Sequence, residues 1–256
     1  MWNDPELYDL ENADDPAFDV AYWSSLVRDM APARMLELAC GTGRLTVPLA
    51  RLGVIDELVG VDSSRPFLER LLDRLLGESL QTRVEAVAGR MQEPPASGAF
   101  DLVVIAFNSL AYLTGVEDRR ACLSSIRSLL APGGAFAFDL VAPRYDFLAE
   151  ALLPCPPVRV DADHAAVDHG VRRFVRSYTD SYDASTQTLR STNRYEIFYE
   201  DGRVEHRIAD LDWHIYFPAE LDLLLEEAGF EVVERYGGYD HSPWGPASRR
   251  YLWVAR

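Results

Sequence analysis

The sequence predicts an α/β domain built on a mostly parallel sheet, with an antiparallel C-terminal hairpin at one edge and an inserted antiparallel β region. Three observations predict it. Short apolar runs alternate with helical patterns from residue 33 onward, the signature of a parallel sheet whose strands are joined through helices. After Pro143 the pattern changes to Thr, Tyr, Ile and Phe with partial period-2 alternation, which suits antiparallel strands. A helical segment and two strand-like runs then close the chain.

The elements follow in order. RMLELA, ELVGVD, RVEAVA, FDLVVIAF and GAFAFDLV read as strands. Between them PFLERLLDRLL, residues 66–76, carries Leu at helical spacing with Pro66 in the first turn, where its missing N–H is not needed. DRRACLSSIRSLLAPGG ends in a Pro-Gly-Gly stop. Both are expected to pack as surface helices on the sheet. Residues 178–217 read as antiparallel strands and contain the hairpin dipeptide Asp201-Gly202. PAELDLLLEEAGF restores a helix, with Leu221, Leu224, Leu225 and Ala228 on one face and Gly229 as its stop. FEVVERYG and RRYLWVAR are close enough in sequence to pair. This organisation predicts an N-terminal helical lid over 1–31, a core over 32–141 and 217–256, and an inserted substrate region over 142–216. PCPP at 154–157 is the nearest thing to a linker, and no internal repeat appears.

Composition narrows the function. The formal charge is −16, and all 25 basic residues are Arg. Such a balance repels phosphate backbones and anionic lipid, so nucleic-acid and membrane partners are not expected. VRRFVR, residues 171–176, reads as an Arg-rich strand with one wet face. No run approaches the roughly 18 apolar residues of a membrane span, and the N-terminus is acidic where a signal peptide would be basic then apolar. A cytoplasmic protein is the expectation. Cys40, Cys122 and Cys155 are widely spaced and form no CxxC pair, so neither a disulfide framework nor a thiolate zinc site is predicted. DADHAAVDH, residues 161–169, offers His and Asp, but its spacing matches no standard metal site, and it reads as a solvated loop. No metal is expected.

The sharpest feature is LELACGTGRLT, residues 36–46. A strand ending at Cys40 and continuing as Gly41-Thr-Gly43 brings backbone N–H groups close to a ligand, with the next helix N-terminus favouring negative charge. A dinucleotide fingerprint needs a third glycine at position 46, where Thr46 stands. A phosphate-binding P-loop is excluded because no G-K-[ST] follows. The second strand ends in Asp62, about twenty residues beyond the turn, where an acid can accept hydrogen bonds from ribose hydroxyls. Glu37, flanked by Leu36 and Leu38, is costly in an apolar strand unless it is paired or functional.

Taken together, LELACGTGRLT, GVDSS, FDLVVIAFNSLAYL and LAPGGAFAFDL resemble, in order and spacing, the motifs of the class I S-adenosylmethionine-dependent methyltransferases. The resemblance covers residues 34–141, and 218–256 match the family's closing elements. YDASTQTLRSTNRYE and the tail YGGYDHSPW resemble small-molecule members, the amino-sugar N,N-dimethyltransferases and glycine N-methyltransferase-like enzymes. The implied fold is Rossmann-like, and the implied cofactor is S-adenosyl-L-methionine, leaving S-adenosyl-L-homocysteine as product.

Residue by residue, the resemblance implies that Glu37 lies near the methionine amino group and that Ala39, Gly41 and Gly43 supply close backbone. It places Asp62, with Ser63, at the ribose, and Met91 at the adenine, with Arg90 where the family often carries an acid. Phe107 and Asn108 would border the methionine portion and the reacting methyl. In the resembling enzymes an N-terminal segment closes over the cofactor, which makes Tyr8 or Tyr22 the touching residue. Tyr195, His214, Tyr216 and Trp244 are expected to line the acceptor pocket, although aromatics of an inserted sheet also suit a core. His214 and Tyr112 are the candidates for positioning the acceptor or removing its proton. The acceptor is expected to be a small polar metabolite, with nitrogen ahead of oxygen, and a homodimer is left open. Two alternatives stand beside this reading: a nicotinamide-dependent oxidoreductase, which Thr46 disfavours, and a non-catalytic cofactor-binding scaffold.

Overall fold

The computed structural model describes residues 4–12, 18–166 and 169–256, which divide into two units. Residues 18–142 and 216–256 belong to the larger unit, and 4–12 and 143–215 to the smaller. Of the expected N-terminal lid, residues 1–3 and 13–17 lie outside the described residues. Its two helices belong to different units: α1 (Pro5–Glu11) to the smaller and α2 (Phe18–Met30) to the larger. Asp4 caps α1 by accepting from the Leu7 N–H at 3.0 Å, which satisfies one of the orphan donors of the first turn.

In the larger unit the predicted runs become β1 (Arg34–Leu38), α3 (Thr46–Ala50), β2 (Glu57–Asp62), α4 (Arg65–Leu75), β3 (Arg83–Ala88), β4 (Phe100–Ile105), a 3-10 turn (Ser109–Tyr112), α5 (Val116–Leu129) and β5 (Leu130–Val141). Near-continuous apolar strands are needed where helices cover both faces of a parallel sheet. Met35, Leu36, Leu38, Leu102, Val103, Val104, Phe136 and Phe138 are accordingly buried. The Leu spacing of α4 buries Phe67, Leu68 and Leu71, with Pro66 in its first turn. Burial of one such side chain stabilises by roughly 1.5–3 kcal/mol. The helix expected after the glycine turn is only the short α3. Its dipole sums too few aligned peptides to matter much to an anion.

The smaller unit comprises α1, α6 (Tyr145–Ala151), β6 (Arg159–Ala166), β7 (Val171–Asp183), β8 (Thr188–Tyr199) and β9 (Val204–His214). Its four strands form an antiparallel sheet in the order β6-β7-β8-β9. Gly202, at φ +87°, closes the β8–β9 turn, as the Asp-Gly pair predicts. The sheet begins earlier than expected. Residues 161–166, read as the start of a solvated loop, form most of β6, while Val167 and Asp168 lie outside the described residues. The reason is electrostatic pairing across strands. Asp163 accepts from Arg173 at 2.8 Å and Asp161 from Arg176 at 2.7 Å, so the acids of one strand face the arginines of VRRFVR. Val171 and Phe174 of the same strand are buried, and Arg172 and Arg173 are exposed.

The chain re-enters the larger unit at α7 (Pro218–Glu227), with Leu221, Leu224 and Leu225 buried, and ends in β10 (Val232–Tyr236) and β11 (Arg250–Ala255). The seven-stranded sheet runs β10-β11-β5-β4-β1-β2-β3. Strands β1 to β5 pair in parallel, whereas β11 lies antiparallel to both β5 and β10. The strand order reverses at β1, which lies between β4 and β2. In such sheets ligands bind in the crevice beyond the carboxyl ends of the strands at that reversal. Among the described residues no helix is long and apolar enough to cross a membrane.

Candidate active site

Beyond β1 the chain turns sharply. Ala39 and Gly41 both have φ of +58° and Gly43 has +84°. The Cys40 N–H still donates to the Val61 carbonyl at 3.1 Å, so the turn remains tied to β2. The two glycines serve different needs. A Cβ on Gly43 would lie 2.3 Å from Leu71 Cδ1, so Gly43 lets the turn pack against α4. A Cβ on Gly41 would meet nothing closer than Phe67 at 3.8 Å, which leaves room for a ligand beside the backbone.

The Gly41 N–H does not point free at a ligand, as the sequence reading expected. It donates to Asp62 Oδ2 at 2.9 Å, while the Ser64 N–H donates to Asp62 Oδ1 at 2.8 Å. The backbone N–H thus fixes the acid at the end of β2. Burial raises the pKa of Asp62, opposed by these backbone bonds. A half-buried carboxylate held by the backbone N–H groups of Gly41, Ser63 and Ser64 still has acceptor capacity that fits a ribose hydroxyl. Ser63 is exposed beside it.

Glu37 is buried within β1, and Thr46 Oγ1 donates to its Oε2 at 2.7 Å. The residue that breaks the dinucleotide fingerprint is therefore the partner of this acid. Burial pushes the Glu37 carboxyl up to about 7, against the Thr46 hydrogen bond and nearby Arg44. Arg44 forms an ion pair with Asp19 of α2, and its guanidinium lies 4.2 Å from the centroid of the Phe107 ring.

At the end of β4, Phe107 (φ +56°) and Asn108 (φ +62°) are consecutive left-handed residues. The left-handed conformation costs roughly 1–2 kcal/mol per non-glycine residue, and such strain persists only where neighbours over-determine it. Asp139, fully buried on β5, accepts from the Phe107 N–H at 2.5 Å and the Asn108 N–H at 3.3 Å. It also accepts from the Tyr239 hydroxyl at 3.0 Å and Arg250 Nη1 at 3.2 Å. Burial raises the Asp139 pKa, and these donors oppose the rise.

The remaining expected residues fall in both units. Tyr22 is buried in the larger unit, its ring centroid 4.9 Å from that of His241 and 5.9 Å from that of Tyr239. Tyr8 is half-buried on α1 in the smaller unit. Met91 is half-buried after β3, and Arg90 reaches Asp118 at 3.5 Å. Tyr112 is half-buried in the 3-10 turn. Tyr195 sits in the core of the smaller unit with Leu7, Leu10 and Phe174, and its hydroxyl donates to Glu11 at 3.2 Å. Tyr216 is buried in the larger unit, and its hydroxyl donates to the Leu110 carbonyl at 3.2 Å. Both tyrosines serve as core residues whose hydroxyls are engaged by protein groups. His214 is buried at the end of β9, and Trp244 is half-buried, 6.1 Å from Trp253 in edge-on geometry. His214 and Tyr195 therefore belong to one unit, Tyr216 and Trp244 to the other.

Sequence reasoning missed Asp19, Arg44, Asp139, Tyr239 and Arg250. A signal existed for Asp139, a single charge inside the apolar run GAFAFDLV, the same anomaly that singled out Glu37. None marked Arg250, which is brought to Asp139 only by the pairing of β11 with β5.

A sheet that reverses at β1, with an acid fixed at the neighbouring strand end, defines a nucleoside-type cofactor fold of the Rossmann-like class. Similarity to known proteins narrows that class. Residues 35–134 match the methyltransferase domain family. The chain is 30% identical over 254 residues to the cypemycin N-terminal methyltransferase of a Streptomyces species, covering 97% of this chain and 94% of the relative. Among solved structures, the CcbJ methyltransferase of Streptomyces caelestis matches with a TM-score of 0.76 and 28% identity, over 94% of this chain and 89% of the other. The amino pentose methyltransferase CalS10 of Micromonospora echinaspora shares the fold, with a TM-score of 0.72 and 21% identity over 98% and 96% of the two chains. The chain belongs to the S-adenosylmethionine-dependent methyltransferases.

Proposed function

We propose that this methyltransferase acts on a nitrogen of a small polar molecule. The observation that carries the choice of nitrogen is the near full-length similarity to an N-terminal methyltransferase. The charge of −16 supports it, because a strongly acidic protein concentrates cationic amines around itself and disfavours anionic acceptors.

When bound, S-adenosylmethionine supplies a methyl group already activated on a sulfonium, so the chain has only to bind, align and exclude water. In our reading Asp62, with Ser63 beside it, holds the ribose, and Gly41 keeps the backbone clear, with Ala39 and Gly43 shaping the turn. Glu37 takes the amino group of the methionine portion, Met91 lies against the adenine, and Phe107 and Asn108 border the methyl. Tyr8 or Tyr22 would be the aromatic residue that touches the cofactor. An ammonium acceptor must lose a proton before its lone pair attacks. We assign orientation of the acceptor or proton removal to His214 and Tyr112, and acceptor recognition to the inserted unit and Trp244.

The test is methyl transfer from S-[methyl-14C]adenosylmethionine to a panel of short peptides with free N-termini, amino sugars, and the hydroxyl counterpart of each. Labelled amines with unlabelled hydroxyl counterparts are expected. Labelling confined to hydroxyl compounds would overturn the choice of nitrogen. Full turnover by both His214→Ala and Tyr112→Phe would remove those two residues from the proton step.

A further inference from the structure

We infer that Asp139 is a positioning residue for methyl transfer, acting by holding the strained Phe107–Asn108 turn at the end of β4. The inference rests on the reading that this turn borders the reacting methyl.

One carboxylate serves the whole turn. Asp139 Oδ1 takes the Phe107 N–H at 2.5 Å, and Oδ2 takes the Asn108 N–H at 3.3 Å. Asparagine visits the left-handed region with modest cost, but phenylalanine rarely does. The φ of +56° at Phe107 therefore needs an external constraint, and the short bond to Asp139 supplies one. The strand that carries Asp139 grips the turn a second time, because the Val141 N–H donates to Asn108 Oδ1 at 2.9 Å. On the other side the Phe107 ring lies under the Arg44 guanidinium at 4.2 Å.

The carboxylate is itself held from the C-terminal region. The Tyr239 hydroxyl and Arg250 Nη1 both reach Oδ2, at 3.0 and 3.2 Å, and Arg250 lies 5.0 Å from the centroid of the Tyr239 ring. Three of the four donors gather on Oδ2 and the Phe107 N–H alone takes Oδ1, so both oxygens of the carboxylate act as acceptors. A neutral amide cannot reproduce that, since whichever way it is turned its NH2 faces at least one of these donors. In-line displacement is sensitive to sub-ångström misplacement of its neighbours. Loosening the turn should therefore disturb the surroundings of the methyl more than the grip on the nucleoside, which in the same reading depends on Asp62, Ser63 and Met91.

S-[methyl-13C]adenosylmethionine reads this directly by NMR without a methyl acceptor, alongside calorimetric titration of S-adenosylhomocysteine. Asp139→Asn is expected to keep S-adenosylhomocysteine affinity within about threefold while displacing the bound methyl resonance from its wild-type position. Tyr239→Phe should move it the same way by less. Should Asp139→Asn not fold, Tyr239→Phe and Arg250→Gln decide, and a wild-type resonance in both overturns the inference. Phe107→Leu separates the underlying reading from the inference. If Phe107→Leu leaves the resonance in place, the turn does not border the methyl and the inference falls with that reading. If Phe107→Leu moves the resonance and folded Asp139→Asn does not, the turn is correctly placed and the role of Asp139 is overturned.

Discussion

Thr46 donates its hydroxyl hydrogen to Glu37 across 2.7 Å, and both side chains are buried. The bond joins the first residue of α3 to the acid of β1. It gives an acid that an apolar strand should reject a fixed hydrogen-bond partner.

The protonation of Glu37 should make the protein's stability depend on pH. Burial pushes its pKa from 4.5 up to about 7, so the native state holds the proton after the unfolded chain has released it. Its contribution is present below the unfolded value, falls as pH rises from about 4.5 to 7 and is flat above. The full loss is roughly 3 kcal/mol in order of magnitude. Urea unfolding at pH 5 and pH 8 should show a larger drop for wild type than for Glu37→Gln. Equal drops in the two proteins would mean that Glu37 titrates normally. If the acid meets the cofactor's amino group, affinity for S-adenosylhomocysteine should also rise with pH through 7 in wild type and not in Glu37→Gln.

The two glycines of the turn should fail in opposite ways. Gly43→Ala drives a Cβ to 2.3 Å from Leu71, so thermal unfolding should show a loss of about 1–3 kcal/mol from overpacking and the positive φ. At Gly41 a Cβ meets only Phe67, at an ordinary 3.8 Å, so Gly41→Val should cost stability chiefly through the positive φ, about 1–2 kcal/mol. It should abolish S-adenosylhomocysteine binding with the fold retained. A Gly41→Val protein that binds normally would place the ligand elsewhere.

Asp62→Ala should weaken S-adenosylhomocysteine binding about 10- to 100-fold, because a charged hydrogen-bond partner is worth about 1.5–3 kcal/mol. The substitution also releases the Gly41 and Ser64 N–H groups. Asp62→Asn, which keeps one acceptor oxygen, should lie between. Calorimetry on the two variants checks the order, and unchanged affinity in Asp62→Ala would remove this residue from the ribose role.

Tyr195→Phe and Tyr216→Phe should be read first as core substitutions. Each deletes a hydroxyl bonded inside its own unit, to Glu11 and to the Leu110 carbonyl respectively. A loss of about 1–2 kcal/mol of stability is expected, with S-adenosylhomocysteine affinity unchanged. Stability equal to wild type in both would show that these bonds contribute little.

Much of the larger unit was legible because its strands and helices advertise themselves locally. RMLEL, ELVGVD and FDLVVI are apolar enough to require burial on both faces, and the Leu spacing of residues 66–76 allows one buried helical face. The N-terminal part of the smaller sheet was illegible for the opposite reason. β6 carries Asp161 and Asp163, which stay exposed and so look like loop residues until the Arg-bearing strand β7 is placed beside them. The turn at Gly41 was visible, but the partner of its N–H was not, because Asp62 lies twenty-one positions away and is brought near by parallel pairing.

The sequence by itself determined the class of sheet and the position of its glycine turn, since each depends on residue type and short spacing along the chain, and its resemblance to the class I methyltransferases implied the cofactor. Only the tertiary structure decided what those residues touch. Asp139 meets Phe107 at a separation of 32 positions and Arg250 at 111, and Thr46 meets Glu37 because the turn folds back on β1. Hydrogen bonds and ion pairs act over about 3 Å. Which groups come within that range is set by strand order and register, to which no local pattern in the chain refers.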